Sequence, residues 1–568
     1  MPPLGIIRSM ISRRDFLKVT GQTAMALGAA PLTTRLLPSL MAGSGAVRCI
    51  NVVNFIRGVE PRFETDLLLP VQKQMELILA NNLPASWLIQ FDALVAGPFV
   101  SYLKAHMAKD HEVGFWFEMN QMLCEAAKVE WRGRKGYEWD HLPPVAFTIG
   151  YTPEERIKLA DTAMSTFKSI WGHYPKSIAS WNLDAITMAH LTDHYGIDAY
   201  AVCRDQIATD GFTIWGSPIA GYYPSKINCW SPALKRENQI STPVFRMLGQ
   251  DPVYYYHRGF KIPSGRTVYE PDTMEPTWTA GRSRTFIESF LKMISDTPTM
   301  KFAYAQLGQE NSFSWDTIAE GFPIQMKALA ELRQTGKVHV ETMGESGRRF
   351  KASFKTTPAQ SQIMLTDPQG NSEPGEKTIW YQSRFYRANL HVRGDYVYLR
   401  DITVYSDLNP QPFLTKATRL NDVEQRMPAI LDGYHWSKNP SSNGEPDAKG
   451  SFKVGSETLR LTGMPKISEH GNSMTVELPV LGDRTVHVVF DEDKISASIT
   501  PKSSLTLLFE WDMKKSAVTA VRQNRVDYRW NELDYSVRLP HGEVSATGSG
   551  WKITNEKEPI VLELKQAT

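Results

Sequence analysis

Short apolar runs that alternate with amphipathic stretches are the feature that most limits how this chain can fold. Eight runs rich in β-branched and aromatic residues lie at 49–56, 85–91, 112–117, 177–181, 199–203, 243–248, 301–307 and 338–342. Helical stretches separate them, and one opens with Thr152 followed by Pro153 at the first helical position. This alternation predicts a parallel sheet covered by helices, here a (β/α)7–8-type barrel over residues 47–349. An open doubly wound sheet is the alternative, but no G-x-G-x-x-G follows the first strand.

The pattern changes beyond residue 350. Short strand-like segments follow one another at 396–405, 458–461, 474–478, 485–490, 495–499 and 505–511. Turn signals such as Asn443-Gly444 and Gly482-Asp483 separate them, and no long helical pattern occurs. Residues 350–568 are therefore predicted to form an all-β domain, with a sandwich as the favoured form.

The N-terminal segment has the three-part layout of an export signal. Residues 12–18 read S-R-R-D-F-L-K, a mostly apolar stretch runs from 19 to 40, and small residues cluster from 42 to 46. The Arg13-Arg14 pair resembles a bacterial twin-arginine signal, which implies the twin-arginine translocase as a partner and a periplasmic or secreted protein. A basic helix start on a soluble domain is the alternative. The apolar stretch is short for a bilayer span, so we expect residues 1–46 to be a signal peptide and no stable membrane anchor.

Composition excludes some functions and leaves others open. The formal net charge is +2, so we expect no nucleic acid partner, because such binding depends on concentrated Lys and Arg. The chain holds 15 Trp, 21 Tyr and 24 Phe, which fits sugar stacking and a large aromatic core equally well.

The cysteines do not form a C-x-x-C pair, and most lie in or beside apolar runs, which favours buried free thiols.

Segments between residues 49 and 206 resemble, in order and spacing, the polysaccharide deacetylases of the NodB type. The segments are N-V-V-N-F-I-R-G (51–58), N-N-L-P-A-S-W-L-I-Q-F (81–91), D-H-E-V-G-F-W-F-E-M-N (110–120), T-P-E-E-R (152–156) and G-H-Y-P-K-S-I-A-S-W (172–181). The resemblance implies a (β/α)7-type barrel, a scaffold that some glycoside hydrolase families share, and a carbohydrate substrate.

The metal motifs of that family are replaced in this chain. The family holds a divalent metal with an Asp of T-F-D-D and two His of H-x-x-x-H. Here the first motif reads Asn54 to Arg57, and the two His positions hold Trp116 and Asn120. Because these side chains cannot replace carboxylate and imidazole around zinc, we expect no metal and no other cofactor in the reaction.

Polar residues at the ends of the predicted strands are the candidates for catalysis, because barrel enzymes carry their sites there. Glu118 follows Trp116 and Phe117, which would raise its pKa, so it is the candidate acid. Asp205 lies beside Arg204 and is the candidate nucleophile or base, with Asp251 and Glu310 in reserve. Asp184 directly precedes a helical stretch, so we expect it to cap that helix.

A second set of polar and aromatic residues is expected to bind the substrate. Two loops, W-R-G-R-K-G-Y-E-W-D (131–140) and V-Y-E-P-D-T-M-E-P-T-W (268–278), contribute to it, although packing as ordered surface loops explains them equally well. Arg132 and Arg134 are a weak indication of an anionic glycan. The candidate binding residues are Arg57, Asp92, Trp116, Arg204, Arg246, Trp181, Arg132 and Trp278.

Three functions remain open at this point. The leading hypothesis is a secreted, metal-independent hydrolase that cleaves glycosidic bonds of a polysaccharide or oligosaccharide with paired carboxylates. The second is a non-catalytic glycan-binding protein on a degenerate deacetylase barrel. The third is a carbohydrate esterase or deacetylase whose metal site is rearranged around Asp92, His111 and another acid.

Overall fold

Parallel strands that alternate with helices form the first half of the described chain. The computed structural model describes residues 45–203, 206–209, 212–214, 220–247, 260–261, 267–268, 274–365, 376–425, 427–433, 436, 446–556 and 558–566. The strands of the first half are β1 (Val47–Ile56), β2 (Ser86–Ile89), β3 (Glu112–Trp116), β4 (Ser177–Ala179), β5 (Ala199–Cys203), β6 (Gln206–Thr209), β7 (Phe212–Ile214), β8 (Gly221–Tyr222), β9 (Pro224–Ser225), β10 (Asn228–Pro232), β11 (Val244–Met247), β12 (Phe260–Lys261), β13 (Thr267–Val268), β14 (Phe302–Leu307) and β15 (His339–Val340). Each of the eight predicted runs contains one of these strands.

The helices lie between the strands as the spacing of apolar residues predicts. They are α1 (Leu68–Ala80), α2 (Phe91–Val95), α3 (Phe99–His106), α4 (Gln121–Ala126), α5 (Pro143–Ala146), α6 (Pro153–Trp171), α7 (Ala185–Tyr195), α8 (Thr279–Arg282), α9 (Arg284–Ser295), α10 (Trp315–Ile318), α11 (Gly321–Gln334) and α12 (Met343–Ser353). Thr152 caps α6 in a capping box with Glu155, and Asp184 caps α7, both at the predicted positions.

One sheet carries the barrel, with the strand order β14-β1-β2-β3-β4-β5-β11-β8 and with β15 also paired to β1. All its strand pairs are parallel except β11 with β8. Between the two edges of the sheet, the Phe245 ring of β11 stacks on Tyr304 of β14 at 4.6 Å between centroids. At Gly221 of β8 an added Cβ would lie 2.7 Å from the ring of Phe302, so only glycine fits beside these rings. The barrel is thus nearly closed, and aromatic packing fills the gap.

Antiparallel strands form the second half. They are β16 (Gln360–Met364), β17 (Glu376–Gln382), β18 (Tyr386–Arg393), β19 (Tyr396–Val404), β20 (Val423–Gln425), β21 (Ala429–Asp432), β22 (Lys449–Val454), β23 (Glu457–Thr458), β24 (Lys466–His470), β25 (Ser473–Val480), β26 (Arg484–Phe490), β27 (Lys494–Thr500), β28 (Leu505–Glu510), β29 (Val518–Arg522), β30 (Arg525–Trp530), β31 (Leu533–Arg538), β32 (Glu543–Thr547), β33 (Gly550–Asn555) and β34 (Ile560–Glu563). Sheets of ten and eight strands contain all of these except β20, which pairs with β7. Apolar side chains of both sheets form one buried cluster, as the predicted sandwich requires.

The expected boundary between the two halves, at residues 349 and 350, falls within α12. The last barrel helix continues to Ser353, and the first strand of the β region begins at Gln360. Barrel and β region belong to one compact unit.

The cysteines are buried free thiols, as predicted. Within the described ranges, no helix combines the length and the apolar character that crossing a bilayer would need.

Arg156 of α6 joins the barrel to a loop of the β region. Its side chain is fully buried and donates hydrogen bonds to the carbonyl oxygens of Phe413 and Leu414, at 2.7 and 2.9 Å. The same guanidinium lies 3.2 Å from the Asp184 carboxylate. A buried cation with this many acceptors fixes the loop against the barrel.

Replacing Arg156 with methionine should lower the free energy of unfolding by about 3–5 kcal/mol, because it leaves the buried Asp184 carboxylate without its cation and removes the donors to several buried carbonyl groups. Urea unfolding followed by tryptophan fluorescence measures this change. Arg284→Met is the matched control, because the Arg284 side chain is 75% exposed and pairs with Glu288 at the surface. Equal unfolding midpoints for the two variants would contradict the assignment.

Candidate active site

Two buried carboxyl groups meet at one arginine where the barrel strands end. Arg57 directly follows β1, Glu118 lies two residues beyond β3, and Glu310 lies three beyond β14. The Arg57 Nη2 atom is 3.1 Å from Oε2 of Glu118, and Nη1 is 2.9 Å from Oε2 of Glu310. None of the three residues is more than 2% exposed. We call these three residues the Arg57 cluster; it lies at the barrel mouth, the end at which the carboxyl ends of the parallel strands converge.

Neighbouring side chains hold Arg57 in place. The Asn311 amide accepts a hydrogen bond from the Arg57 backbone N–H at 2.8 Å and donates one to the Arg57 carbonyl at 2.9 Å. The Ser312 hydroxyl accepts from Nη1 at 3.2 Å. The guanidinium carbon lies 4.0 Å from the centroid of the Trp139 ring, whose Nε1–H donates to Glu118 Oε2 at 2.9 Å. Trp139 therefore covers both the cation and one of its carboxylates.

The pKa of the Glu118 carboxyl group lies above its ordinary value. Burial raises its pKa, while Arg57 and the indole groups of Trp116 and Trp139 act in the opposite direction and Glu310 raises the pKa further. Its Oε1 atom makes no hydrogen bond with the described residues. A carboxyl group that stays protonated in such an environment can act as a general acid.

Three aromatic rings pack together where β1, β3 and β4 end. Phe55 and Trp116 stack at 3.8 Å between centroids and 8° between planes. Trp181 meets both rings edge-on, at 5.8 and 5.6 Å. Apolar ring carbons do not bind a divalent cation, and no group of three or more His, Cys, Asp or Glu within the described ranges could hold one. The residues present at this position do not fit the metal of the family.

A small pocket opens beside the Arg57 cluster. The space within it that the centre of a water-sized sphere can reach is about 10 Å³. This space takes a single water-sized group. Its lining combines apolar, amide and carboxyl side chains: Val53, Phe55, Trp181, Met247, Glu275, Gln306, Leu307, Gly308, Gln309 and Glu310.

Gln90 belongs to the same layer of side chains and was not among the predicted residues. Ile56 pairs with Ile89, and Ile89 pairs with Phe115, so the next residues Arg57, Gln90 and Trp116 lie side by side. Gln90 is fully buried, and both polar atoms of its amide lack a hydrogen bond to the described residues. Side chains of a strand alternate between the two faces of a sheet, and this alternation along β2 indicates that Gln90 faces the same way as Arg57 and Trp116. Gln90 lies within the apolar run at 85–91, so it did not stand out as a polar residue at a strand end. The sequence indicates Trp139 only as a residue of the loop at 131–140 and predicts no role for it.

Asp92 and Arg132 lie at the barrel mouth and bind protein groups. The Asp92 carboxylate accepts hydrogen bonds from the backbone N–H groups of Val59 and Ala93, at 3.0 and 2.7 Å. Arg132 pairs with Glu155 at 2.7 Å, and Arg134 pairs with Asp140 at the same distance. These guanidinium groups fix the loop at 131–140, so the indication of an anionic glycan loses its basis.

The remaining candidates lie in different surroundings. Trp181 lines the pocket, and the Trp278 indole donates to the Glu275 carboxylate at 2.5 Å. Arg246 precedes Met247, which lines the pocket, so Arg246 points to the opposite face of β11, near the Cys229 thiol, whose pKa burial raises well above its ordinary value. Three of the predicted residues lie outside the described ranges and stay predictions: Arg204, Asp205 and Asp251.

The rearranged metal site around Asp92 and His111 does not form. Ser86 pairs with Glu112, so His111 lies beside the start of β2, whereas Asp92 follows the end of that strand. The start and the end of β2, beside which His111 and Asp92 lie, are separated by roughly 15 Å of extended chain. The His111 ring instead contacts the Leu83 carbonyl oxygen and the Trp87 indole N–H, both at 3.2 Å.

Comparisons with known proteins agree with the barrel fold. No family model and no curated protein matches the chain. Among solved structures, the chain is similar to the "putative glycoside hydrolase/deacetylase" of Parabacteroides distasonis, with 16% identity, a TM-score of 0.53, and coverage of 72% of this chain and 95% of that one. A "putative polysaccharide deacetylase" of Mycobacterium smegmatis aligns with 11% identity and a TM-score of 0.34, over 57% of this chain and 95% of that one. The first similarity shows that this chain shares the fold of that structure.

The Asp92 carboxyl group should make stability depend on pH. Burial raises its pKa from 3.8 to about 6, even though three backbone N–H groups and Arg57 lower it. Because the folded pKa is the higher one, this group stabilises the fold most below pH 3.8, and its contribution of about 3 kcal/mol is lost as the pH rises through 6.

Asp92→Asn should remove that part of the pH dependence. Urea unfolding of both proteins between pH 4 and 7 measures it as the difference between the two curves of unfolding free energy. The wild type should lose stability relative to the variant across this range. Parallel curves would show that Asp92 does not titrate there.

Proposed function

We propose that this chain is a carbohydrate-active hydrolase that cleaves a glycosidic bond with Glu118 and Glu310 and without a metal ion. The observation that carries the proposal is the Arg57 cluster. Two carboxyl groups share one guanidinium at the barrel mouth, and burial raises the pKa of one of them, Glu118. Glycoside hydrolysis needs this combination of an acid and a charged carboxylate.

Each carboxyl group has a separate role in the proposed reaction. Glu118 donates its proton to the glycosidic oxygen as the bond to the leaving sugar breaks. Glu310, which makes the shorter contact with Arg57 and lines the pocket, carries the negative charge. It either attacks the anomeric carbon or takes a proton from the attacking water. Arg57 holds both groups at a fixed spacing, and Trp139 excludes water from Glu118.

Trp181 and Phe55 supply the surface for the sugar. Their rings line the pocket next to Glu310. Flat aromatic faces pack against the apolar faces of pyranose rings and bury their C–H groups. Because Trp139 covers Glu118, the loop at 131–140 has to move for a glycosidic oxygen to reach the acid.

The setting of this activity follows from the N-terminal motif. Residues 12–18 read S-R-R-D-F-L-K, which resembles a twin-arginine signal. We therefore place the proposed reaction in the periplasm or outside the cell, on a polysaccharide or oligosaccharide, after export by the twin-arginine translocase.

Glu118→Gln and Glu310→Gln should each lower the rate of glycan hydrolysis by about 10²–10⁴-fold, because each removes one carboxyl group from the reaction. A screen of glycan oligomers for released reducing ends identifies the substrate and then measures these rates. Glu112→Gln is the matched control, because Glu112 is a carboxyl at the opposite end of β3 that bonds Ser86 and Ser177. Equal rates for wild type and both mouth variants would contradict the proposal.

Removal of divalent cations should leave the rate of hydrolysis unchanged. Trp116 and Asn120 stand where the resemblance places the two His ligands of that family. Dialysis against EDTA, followed by the same reducing-end measurement and by metal analysis of the dialysed protein, tests this expectation. A loss of activity that zinc or cobalt restores would contradict it.

A non-catalytic glycan-binding protein is the second candidate. The observation in its favour is that Glu118 is fully buried beneath Trp139. Such a protein would bind oligosaccharides through Trp181 and Phe55 and release no product. The glycan screen separates the two functions when binding and product release are measured on the same oligomers.

A further inference from the structure

The pocket beside Glu310 has the size of one water molecule. The centre of a water-sized sphere can reach about 10 Å³ within it. A cavity holds a water molecule once this space is about 10–15 Å³, so the pocket takes one water and excludes a pyranose ring. A sugar that packs on Trp181 and Phe55, as proposed above, therefore lies across the opening of the pocket, with the water-sized space behind it on the side of Glu310.

Three polar side chains that line the pocket fit the hydrogen bonds of a water molecule. Gln309 is 2% exposed, and its Oε1 atom makes no hydrogen bond with the described residues. Gln306 accepts a hydrogen bond from the Tyr304 hydroxyl at its Oε1 atom, at 3.1 Å, so its amide nitrogen is the end that can donate to a ligand. The Glu310 carboxylate is a further acceptor. Buried water molecules make about three hydrogen bonds, and one water can donate to Gln309 and Glu310 and accept from Gln306.

The turn that carries Gln309 and Glu310 is fixed against β1. Gly308 has a φ of +121°, and an added Cβ would overlap the carbonyl group of Val53, so only glycine fits there. The next residue, Gln309, donates its backbone N–H to Oδ1 of Asn54 at 3.2 Å. A water molecule bound by this turn is held at a fixed place beside the carboxyl groups of the mouth, and such positioning accelerates a reaction.

We propose that this pocket holds the attacking water, so that the glycosidic bond is cleaved in a single displacement with inversion at the anomeric carbon. The inference rests on the proposed function. The water oxygen bonds to the anomeric carbon while Glu310 takes one of its protons. The electron pair of the broken C–O bond goes to the leaving oxygen, which receives the proton of Glu118. Exchange with solvent then returns a proton to Glu118 and removes one from Glu310. Gln306 and Gln309 are positioning residues that orient the water.

The configuration of the first product tests the proposal on the wild type. A single displacement inverts the anomeric carbon, whereas a double displacement through a glycosyl-enzyme retains its configuration. Proton NMR of a glycan of known configuration, recorded before the released sugar mutarotates, distinguishes the two. The first product should have the opposite configuration to the substrate. Retention would overturn the inference and leave the proposed hydrolysis standing.

Methanol provides a second readout on the wild type. A single displacement forms no glycosyl-enzyme that methanol could intercept, and methanol is larger than the one water that the pocket takes. Hydrolysis in the presence of methanol should therefore give no methyl glycoside, as measured by mass spectrometry. Formation of a methyl glycoside would overturn the inference.

Gln309→Met tests the acceptor and keeps the length of the side chain. It should lower kcat about tenfold, the factor that one lost hydrogen bond gives, and should leave KM unchanged because Gln309 orients the water. Gln334→Met, which changes an exposed glutamine at the end of α11, is the matched control and should keep the kcat of the wild type. An unchanged kcat in Gln309→Met, or a change in KM alone, would overturn the inference.

A high-resolution crystal structure of the wild type separates this inference from the proposed function. An ordered water within hydrogen-bond distance of Gln309 Oε1 and the Glu310 carboxylate, in a protein that cleaves no glycan, supports the water site and contradicts the hydrolysis. A pocket without such a water overturns the inference, whether or not the protein cleaves glycans.

Discussion

The site depends on one arginine that pairs with two buried carboxyl groups. Removing three ionisable groups from water costs several kcal/mol for each charge, and the cost is offset only where geometry and additional hydrogen bonds are good. Asn311, Ser312 and Trp139 provide those bonds around Arg57 and Glu118. The arrangement requires that the ends of β1, β3 and β14 lie close together, and the sheet order β14-β1-β2-β3 brings them there. The sheet therefore sets the positions of the two acids relative to Arg57.

The barrel mouth combines a shared fold with altered chemistry. The sheet order and the similarity to a solved glycoside hydrolase/deacetylase barrel establish the scaffold. Phe55 and Trp116 form a stacked pair at this mouth. In the proposed reaction, the two carboxyl groups at Arg57 act without a metal ion. The rings of Trp181 and Phe55 line the pocket beside them, and the proposal assigns these two rings to the sugar.

Periodicity predicted the fold well, because the spacing of buried residues follows directly from helix and strand geometry. Short strands such as β8 and β9, of two residues each, lack enough length for a periodic signal. Glu118 and Glu310 could be predicted, because strand ends converge in a barrel. Their meeting at Arg57 and the cover by Trp139 could not, since both depend on loop conformations far apart in sequence. Arg132 shows the same limit: its partner Glu155 lies 23 residues away, on the first turn of a helix.

The protonation state of Glu118 is the most direct test of the account. Infrared difference spectroscopy of wild type against Glu118→Gln isolates the C=O band of this one carboxyl group during a pH titration. The account predicts that the band of the protonated acid persists above pH 4.5, the ordinary pKa of glutamic acid, and persists to still higher pH in Arg57→Met, because the guanidinium lowers that pKa. A Glu118 carboxyl group that ionises below pH 4.5, or whose titration ignores the loss of Arg57, would contradict the account.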